Sequence, residues 1–313
     1  MAWRRVVAGC VLVALGCAGA PRRTQQRATG SSAWVPLVVG PFQRVYRPVG
    51  TRYLNDHTLA REPDGRWHLF GITHDSEGDP SREMSFLHAS APALMGPWSD
   101  EGDALHSQPP EESLWAPFVL PTGAGRWSMF YYGNTPDHRV LRAESADLHR
   151  WERSASSAPG GRDPFLLRVG ALWYLYSVGA DEHREIGQIV VSQSRDLQRW
   201  TMTTVALTDP VATFGWGNLE SPVVVRRGEE FYLFVTRTSD SPHDYARTMV
   251  FASTDPTRFA WEPVTEIMAH AAEVIEDGGG WFITSAGWTA RMGERWRGLS
   301  IAPLAWAPRA SLR

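Results

Sequence analysis

From about residue 50 onward, apolar and polar positions follow one short pattern that recurs five times. An apolar strand is followed by a polar turn containing Gly, and then by a second strand rich in Trp, Tyr and Phe. After a loop comes a third strand of the form hydrophobic-x-Ala/Ser-x-Ser, which runs into a turn closed by Trp. The units open with "NDHTLAREPDGRWHLFGITH", "LWAPFVLPTGAGRWSMFYYGN", "GRDPFLLRVGALWYLYSVG", "LESPVVVRRGEEFYLFVTR" and "HAAEVIEDGGGWFITSAGW". Their second halves include "HRVLRAESADLHRWER" and "GQIVVSQSRDLQRWT". Alternation and turn punctuation both predict β-strands, and no long stretch of helical period competes. Repeats of about 50–60 residues with about four short strands each predict the blades of a β-propeller. The expectation is an all-β, five-bladed propeller in a single domain over 34–313. A sandwich or a solenoid would not explain the regular Trp after the third strand.

The chain ahead of the repeats reads differently. "MAWRR" is a short basic stretch and "VVAGCVLVALG" an apolar run too short to span a bilayer comfortably, the layout of an export signal over 1–19. Gly16-Cys17 resembles the end of a bacterial lipoprotein signal, which makes Cys17 the lipidation candidate; cleavage after "AGA" is the alternative. Residues 20–33 are polar and read as a flexible linker. The expected location is therefore the cell envelope or outside the cell, with the membrane reached only through an N-terminal lipid.

Composition narrows the chemistry. The 313 residues are 43% hydrophobic and 21% charged, ordinary for a globular protein with a sizeable core. A formal charge of −3 offers no basic footprint for nucleic acid. Lys is absent, which removes Schiff-base chemistry and the Lys of a phosphate-binding loop. Both cysteines lie at positions 10 and 17, so the repeats hold no thiol nucleophile and no Cys metal site.

In a propeller the first strand of each blade lies nearest the axis, and the starts of these strands converge on one mouth of the channel. Read in order they are Asn55-Asp56, Trp115-Ala116-Pro117, Arg162-Asp163-Pro164, Leu219-Glu220-Ser221-Pro222 and His270-Ala271. Three carboxylates and a histidine are thus expected at equivalent places on four blades. Carboxylates crowded in one pocket repel, so at least one stays protonated near neutral pH. A neutral acid beside an ionised carboxylate is what glycosidic-bond cleavage requires. Arg162, Trp115, Trp216, His57 and His270 are the candidates for sugar contact. His57, adjacent to Asp56, is expected on the opposite face of the strand.

These motifs resemble those of the five-bladed propeller glycoside hydrolases of families 43 and 32. "YLNDHT" is similar to the family 32 opening whose Asp is the nucleophile, and in family 43 the corresponding Asp is a general base. "RDP" is similar to the Asp that stabilises the transition state or tunes the acid, and "LESP" to the segment that carries the general acid. "LWAP" and "HAAEV" match second- and fifth-blade habits of family 43. The resemblance covers roughly 50–305. It implies Asp56 as base or nucleophile, Asp163 as tuner and Glu220 as acid, on an arabinosyl, xylosyl or fructosyl carbohydrate. No cofactor is required; a structural Ca²⁺ on the axis, reached by His270 through water, is allowed. The chain departs from family 32 at His57 and Ser221, and it leaves no room for that family's C-terminal sandwich. A non-catalytic carbohydrate-binding propeller, or a transferase or phosphorylase on the same fold, are the competing readings. A closed propeller is by default a monomer.

Overall fold

The computed structural model describes residues 32–74, 80–123, 125–181, 186–211, 218–238, 247–286 and 298–312. Two strands come before the first repeat, β1 (Trp34–Val38) and β2 (Gln43–Tyr46). Blade 1 comprises β3 (His57–Arg61), β4 (Trp67–Thr73), β5 (Ser85–Ala91) and β6 (Ser99–His106). Blade 2 comprises β7 (Trp115–Gly123), β8 (Arg126–Tyr132), β9 (Val140–Ser145) and β10 (Glu152–Arg153). Blade 3 comprises β11 (Arg162–Val169), β12 (Leu172–Asp181), β13 (Ile186–Ser194) and β14 (Thr204–Thr208). Blade 4 comprises β15 (Leu219–Arg227), β16 (Glu230–Arg237), β17 (Thr248–Ser253) and β18 (Thr265–Ile267). The last unit supplies β19 (Val274–Asp277), β20 (Gly280–Ser285) and β21 (Leu299–Pro308). Blades 1 to 4 are antiparallel meanders in sequence order and the last is a fifth antiparallel sheet, so the five-bladed all-β propeller stands.

The last blade takes its outer strand from the other end of the chain. β1 pairs with β21 from Trp34↔Pro308 to Val38↔Leu304, and β2 continues along the same edge from Gln43↔Ile301 to Tyr46↔Leu299. The sequence pattern assigned nothing to these residues, because the repeat grammar begins after them. Ser32 and Ala33, at the end of the expected linker, are already tied down. Ser32 Oγ lies 2.9 Å from the Tyr232 hydroxyl, and Ala33 N donates to Glu230 at 3.1 Å.

The core lies within and between the blades. Trp151 of blade 2 meets Phe70 of blade 1 edge-on at 5.5 Å, Trp200 of blade 3 meets Phe130 of blade 2 at 6.5 Å, and Trp306 of β21 meets Tyr232 of blade 4 at 4.7 Å. The closing Trp of these units therefore seals the seam to the preceding blade. Trp261 differs, packing at 5.0 Å on Phe251 of its own blade 4. The turn before Trp is specified locally. Ser145 Oγ accepts the N–H groups of Asp147 and Leu148, and Asp147 Oδ1 accepts those of His149 and Arg150. Ser194 and Asp196 repeat the arrangement one blade later, with Leu148 and Leu197 at φ 61° and 58°. These hydrogen bonds hold both aspartates below the usual carboxylate range.

Candidate functional site

The innermost strands enter the mouth through irregular backbone. Ala116, Asp163, Ser221 and Ala271 all have positive φ, at 47°, 57°, 49° and 47°. Non-Gly residues rarely adopt this region, and the cost is about 1–3 kcal/mol each. The register slips at the same places, between Trp115 and Phe118, Arg162 and Phe165, and Glu220 and Val223. Pro117, Pro164 and Pro222 occupy these bulges, where a missing N–H removes no ladder bond. Repeated strain at one end of the channel is a structural mark of a site rather than of a scaffold.

The irregularity fixes equivalence among blades 2 to 5, the pairing of Asn55 with Ile72, as of Arg162 with Val178, adds blade 1, and together they correct the expected ring. Asp56 and Asp163 do correspond, together with Ala116, Ser221 and Ala271. Glu220 and His270 stand one residue earlier, in the place held by Asn55, Trp115 and Arg162. Glu220 reaches the same cluster from a neighbouring position, and Ser221 fills the slot that an aspartate holds on blades 1 and 3.

The side chains form one connected network. Ser221 Oγ donates to Asp56 Oδ1 at 2.8 Å, and Ser221 N donates to Asp163 Oδ2 at 3.0 Å. Arg162 Nη1 donates to the same Asp163 oxygen at 2.8 Å, while its Nη2 pairs with Glu220 Oε1 at 3.0 Å. Asp163 is buried, at 3% exposure, and Asp56 and Glu220 are half-buried. A pocket opens here, walled by Asp56, Asp163, Ser221, Ala271, Phe165 and Glu273.

Burial dominates the electrostatics. It raises Glu220, opposed by Arg162 and reinforced by the charges of Asp163 and Asp56. It also raises Asp163, with Arg162 pulling the other way. Asp56 rises through desolvation, and the Ser221 hydrogen bond and Arg162 restrain it. Asp163 and Glu220 share Arg162 and titrate as a pair. One guanidinium among three carboxylates leaves an excess of negative charge, so a proton stays in the cluster near neutrality. Of the two carboxylates that share Arg162, Glu220 is the better seat, because Asp163 holds the additional Ser221 N–H.

The other expected contacts are distributed unevenly. Trp115 is half-buried and stacks on Tyr132 at 5.7 Å, forming a wall beside the mouth. His57 borders the pocket, but its Nε2 lies 2.9 Å from Thr284 Oγ1 across the seam between blades 1 and 5. Its buried imidazole is held neutral, pushed down to about 3 by burial. His270 is buried too, with Nδ1 2.6 Å from the Ala286 carbonyl, so that nitrogen carries the proton; burial lowers it to about 4. Among the described residues no group of three or more His, Cys, Asp or Glu side chains is placed to hold a metal ion. Trp216 and Cys17 lie outside the described residues.

Two participants escaped the sequence pattern. Ser221 stood inside the quoted "LESP" motif, but its double role depends on the bulge geometry. Glu273 follows Ala271-Ala272 and faces the pocket, where burial raises it to about 8.

No protein-family model matches the chain. Over 166 residues it is 31% identical to a sucrose-6-phosphate hydrolase of Pediococcus pentosaceus, a match covering 47% of this chain and 32% of that protein. The chain thus aligns with about a third of the length of that relative. Among solved structures, the GH43_1 enzyme of Xanthomonas citri superposes with a TM-score of 0.64 at 15% identity, covering 86% of this chain and 91% of that one. A thermostable family-43 glycoside hydrolase gives 0.61 at 17% identity, covering 83% and 91%. The GH32 β-fructofuranosidase of Bombyx mori gives 0.64 at 16% identity, covering 85% of this chain and 61% of that one. The chain shares the five-bladed propeller on which glycoside hydrolases of families 43 and 32 are built.

Proposed function

We propose that this chain is a glycoside hydrolase whose reaction takes place in the axial pocket. The carrying observation is the Asp56–Ser221–Asp163–Arg162–Glu220 network, which gathers three carboxylates from three blades at one strained channel mouth. Glu220, neutral near pH 7, protonates the departing glycosidic oxygen. Asp56, oriented by the Ser221 hydroxyl, acts as a carboxylate, the form that this hydrogen bond and Arg162 favour against burial, on the anomeric carbon directly or through water. Asp163 keeps Arg162 in place, and Arg162 stabilises the carboxylate that Glu220 becomes once its proton has left. Recognition of the sugar falls to the Trp115 wall and to the polar groups of the mouth.

The sugar is inferred from the pocket and the neighbours together. A related solved structure is complexed with xylotriose, and the curated relative is a sucrose-6-phosphate hydrolase. A phosphorylated substrate calls for a free cation at the mouth, and among the described residues Arg162, the cation of the network, is already engaged by two carboxylates. This favours an unphosphorylated arabinosyl, xylosyl or fructosyl unit over a sugar phosphate, and hydrolysis over phosphorolysis. We further propose export through 1–19 and attachment at Cys17; loss of the membrane-bound fraction in a Cys17→Ala variant tests that step.

The Arg162–Glu220 ion pair also supports a second reading. A carboxylate held by Arg could serve purely as an acceptor for sugar hydroxyls in a binding propeller. Leaving-group dependence separates the two. A general acid contributes about 10²–10⁴-fold on poor leaving groups. Glu220→Gln is therefore expected to lose about that much activity on alkyl or oligosaccharide substrates while retaining most of it on dinitrophenyl glycosides. Asp56→Asn should fail on both. A chain that binds xylo- or arabino-oligosaccharides unchanged in both variants, with no turnover of any, is a binding protein.

A further inference from the structure

One buried acid close to the mouth has no part in that chemistry. Glu83 precedes β5 and is 3% exposed. Its Oε1 accepts the Tyr53 hydroxyl at 2.5 Å, and the side chains of Trp115 and Asn55 lie close enough to the carboxyl to oppose the rise of its pKa. Its carbonyl accepts Leu114 N at 2.7 Å, which ties the segment before β5 to the one before β7. Asn55 and Trp115 hold equivalent positions on blades 1 and 2, each one residue ahead of the mouth residue proper. Asn55 directly precedes Asp56, and Tyr53 lies two residues further back.

Glu83 thus does for blades 1 and 2 what Arg162 does for blades 3 and 4. One buried planar group spans two adjacent strand starts and sets how each enters the mouth. Without it, the Trp115 indole keeps its stacking on Tyr132 but loses the polar neighbour that sets its tilt, and Tyr53, two residues ahead of Asn55, loses its hydrogen-bond acceptor. The geometry points to Glu83 as a positioning residue that orients the Trp115 wall and the Asn55-Asp56 segment for sugar binding. Burial, with the Asp56 charge adding to it, lifts Glu83 to about 8, so it acts in its neutral form at neutral pH and adds no second charge next to Asp56. This assignment rests on the pocket being a sugar site, and it deepens the hydrolase reading by naming what holds that site's wall.

The test compares wild type, Glu83→Ala and Glu83→Gln by turnover of aryl arabinofuranosides, aryl xylosides and fructosides, and by calorimetric binding of xylotriose. Losing a hydrogen bond to a buried carboxyl group is expected to raise KM and the xylotriose Kd of Glu83→Ala about tenfold or more, with the smaller effect on kcat. Glu83→Gln, isosteric with the neutral acid, should restore both near pH 6. If wild type binds xylotriose but turns over nothing, a weakened Kd in Glu83→Ala still supports the positioning role while the hydrolase reading fails. A folded Glu83→Ala with unchanged KM, kcat and Kd overturns the proposal, whatever the activity of wild type. Should the alanine variant not fold, Glu83→Asp, one methylene too short to span both strands, carries the same expectation and the same overturning result.

Discussion

The chemistry of the mouth depends on residues one position apart. Asp163 and Ser221 occupy the same backbone slot at φ 57° and 49°, yet one is a carboxylate and the other its hydrogen-bond donor. Ser221 is the hinge of the network, because its hydroxyl serves Asp56 while its N–H serves Asp163. Ser221→Ala removes only the first of these bonds. Asp56 is then expected to titrate higher, and the acid limb of the kcat/KM profile should move to higher pH. An unchanged acid limb would mean that Asp56 is not the group whose ionisation the reaction needs.

Between the residue and the ring stands the strand start. Gly161 shows how closely β11 is fitted, since a Cβ there would stand 1.9 Å from the Val178 carbonyl oxygen. That atom belongs to the paired strand β12 and cannot swing aside as a flexible side chain would. Gly161→Ala is expected to destabilise the protein by about 1–3 kcal/mol, the usual range for overpacking. It should also lower kcat, because Arg162 and Asp163 follow immediately. A thermal midpoint and kcat both equal to wild type would show that the strand start tolerates displacement. Ala305 provides the contrast, an alanine in the middle of β21 with an ordinary ladder partner in Leu37 and no link to the mouth.

Across the whole molecule, closure and buried charge set stability. β1 and β2 cover one edge of β21, so removing residues 1–47 would leave that edge open and the Trp306 seam exposed. Such a truncation is expected to yield aggregated protein, whereas a chain starting at residue 32 should remain monomeric in gel filtration. Titration acts on the molecule from both sides. His57, His88 and His270 are pushed down to about 3, 3 and 4 from an ordinary 6.5, so the unfolded chain binds more protons and stability falls as pH drops below 6.5. Glu83 and Glu273 are raised to about 8 from an ordinary 4.5, so the folded chain binds more protons and stability falls as pH rises from 4.5 to 8. The thermal midpoint should therefore peak between pH 4.5 and 6.5, and Glu273→Gln should flatten the alkaline decline. A midpoint that climbs steadily from pH 5 to 9 would contradict this assignment of buried charge.

The sequence by itself determined the five repeats, the strands within them and three of the carboxylates, because period-two alternation, Gly turns and the Ser-x-Asp-Leu-x-x-Trp turn are local signals. It also placed Asp56, Asp163, Arg162 and Glu220 at strand starts, since each repeat aligns on its own neighbours. Only the tertiary structure decided that Glu220 stands one residue off the aspartates, that Ser221 joins two of them, and that His57 turns to Thr284. A bulge shifts register without leaving a mark in the hydrophobic pattern. The closure of the last blade by 34–46, and the convergence of Tyr53, Asn55 and Trp115 on Glu83, lay beyond the sequence for a related reason. Both join segments far apart in the chain, and a contact of that kind exists only once the ring has formed.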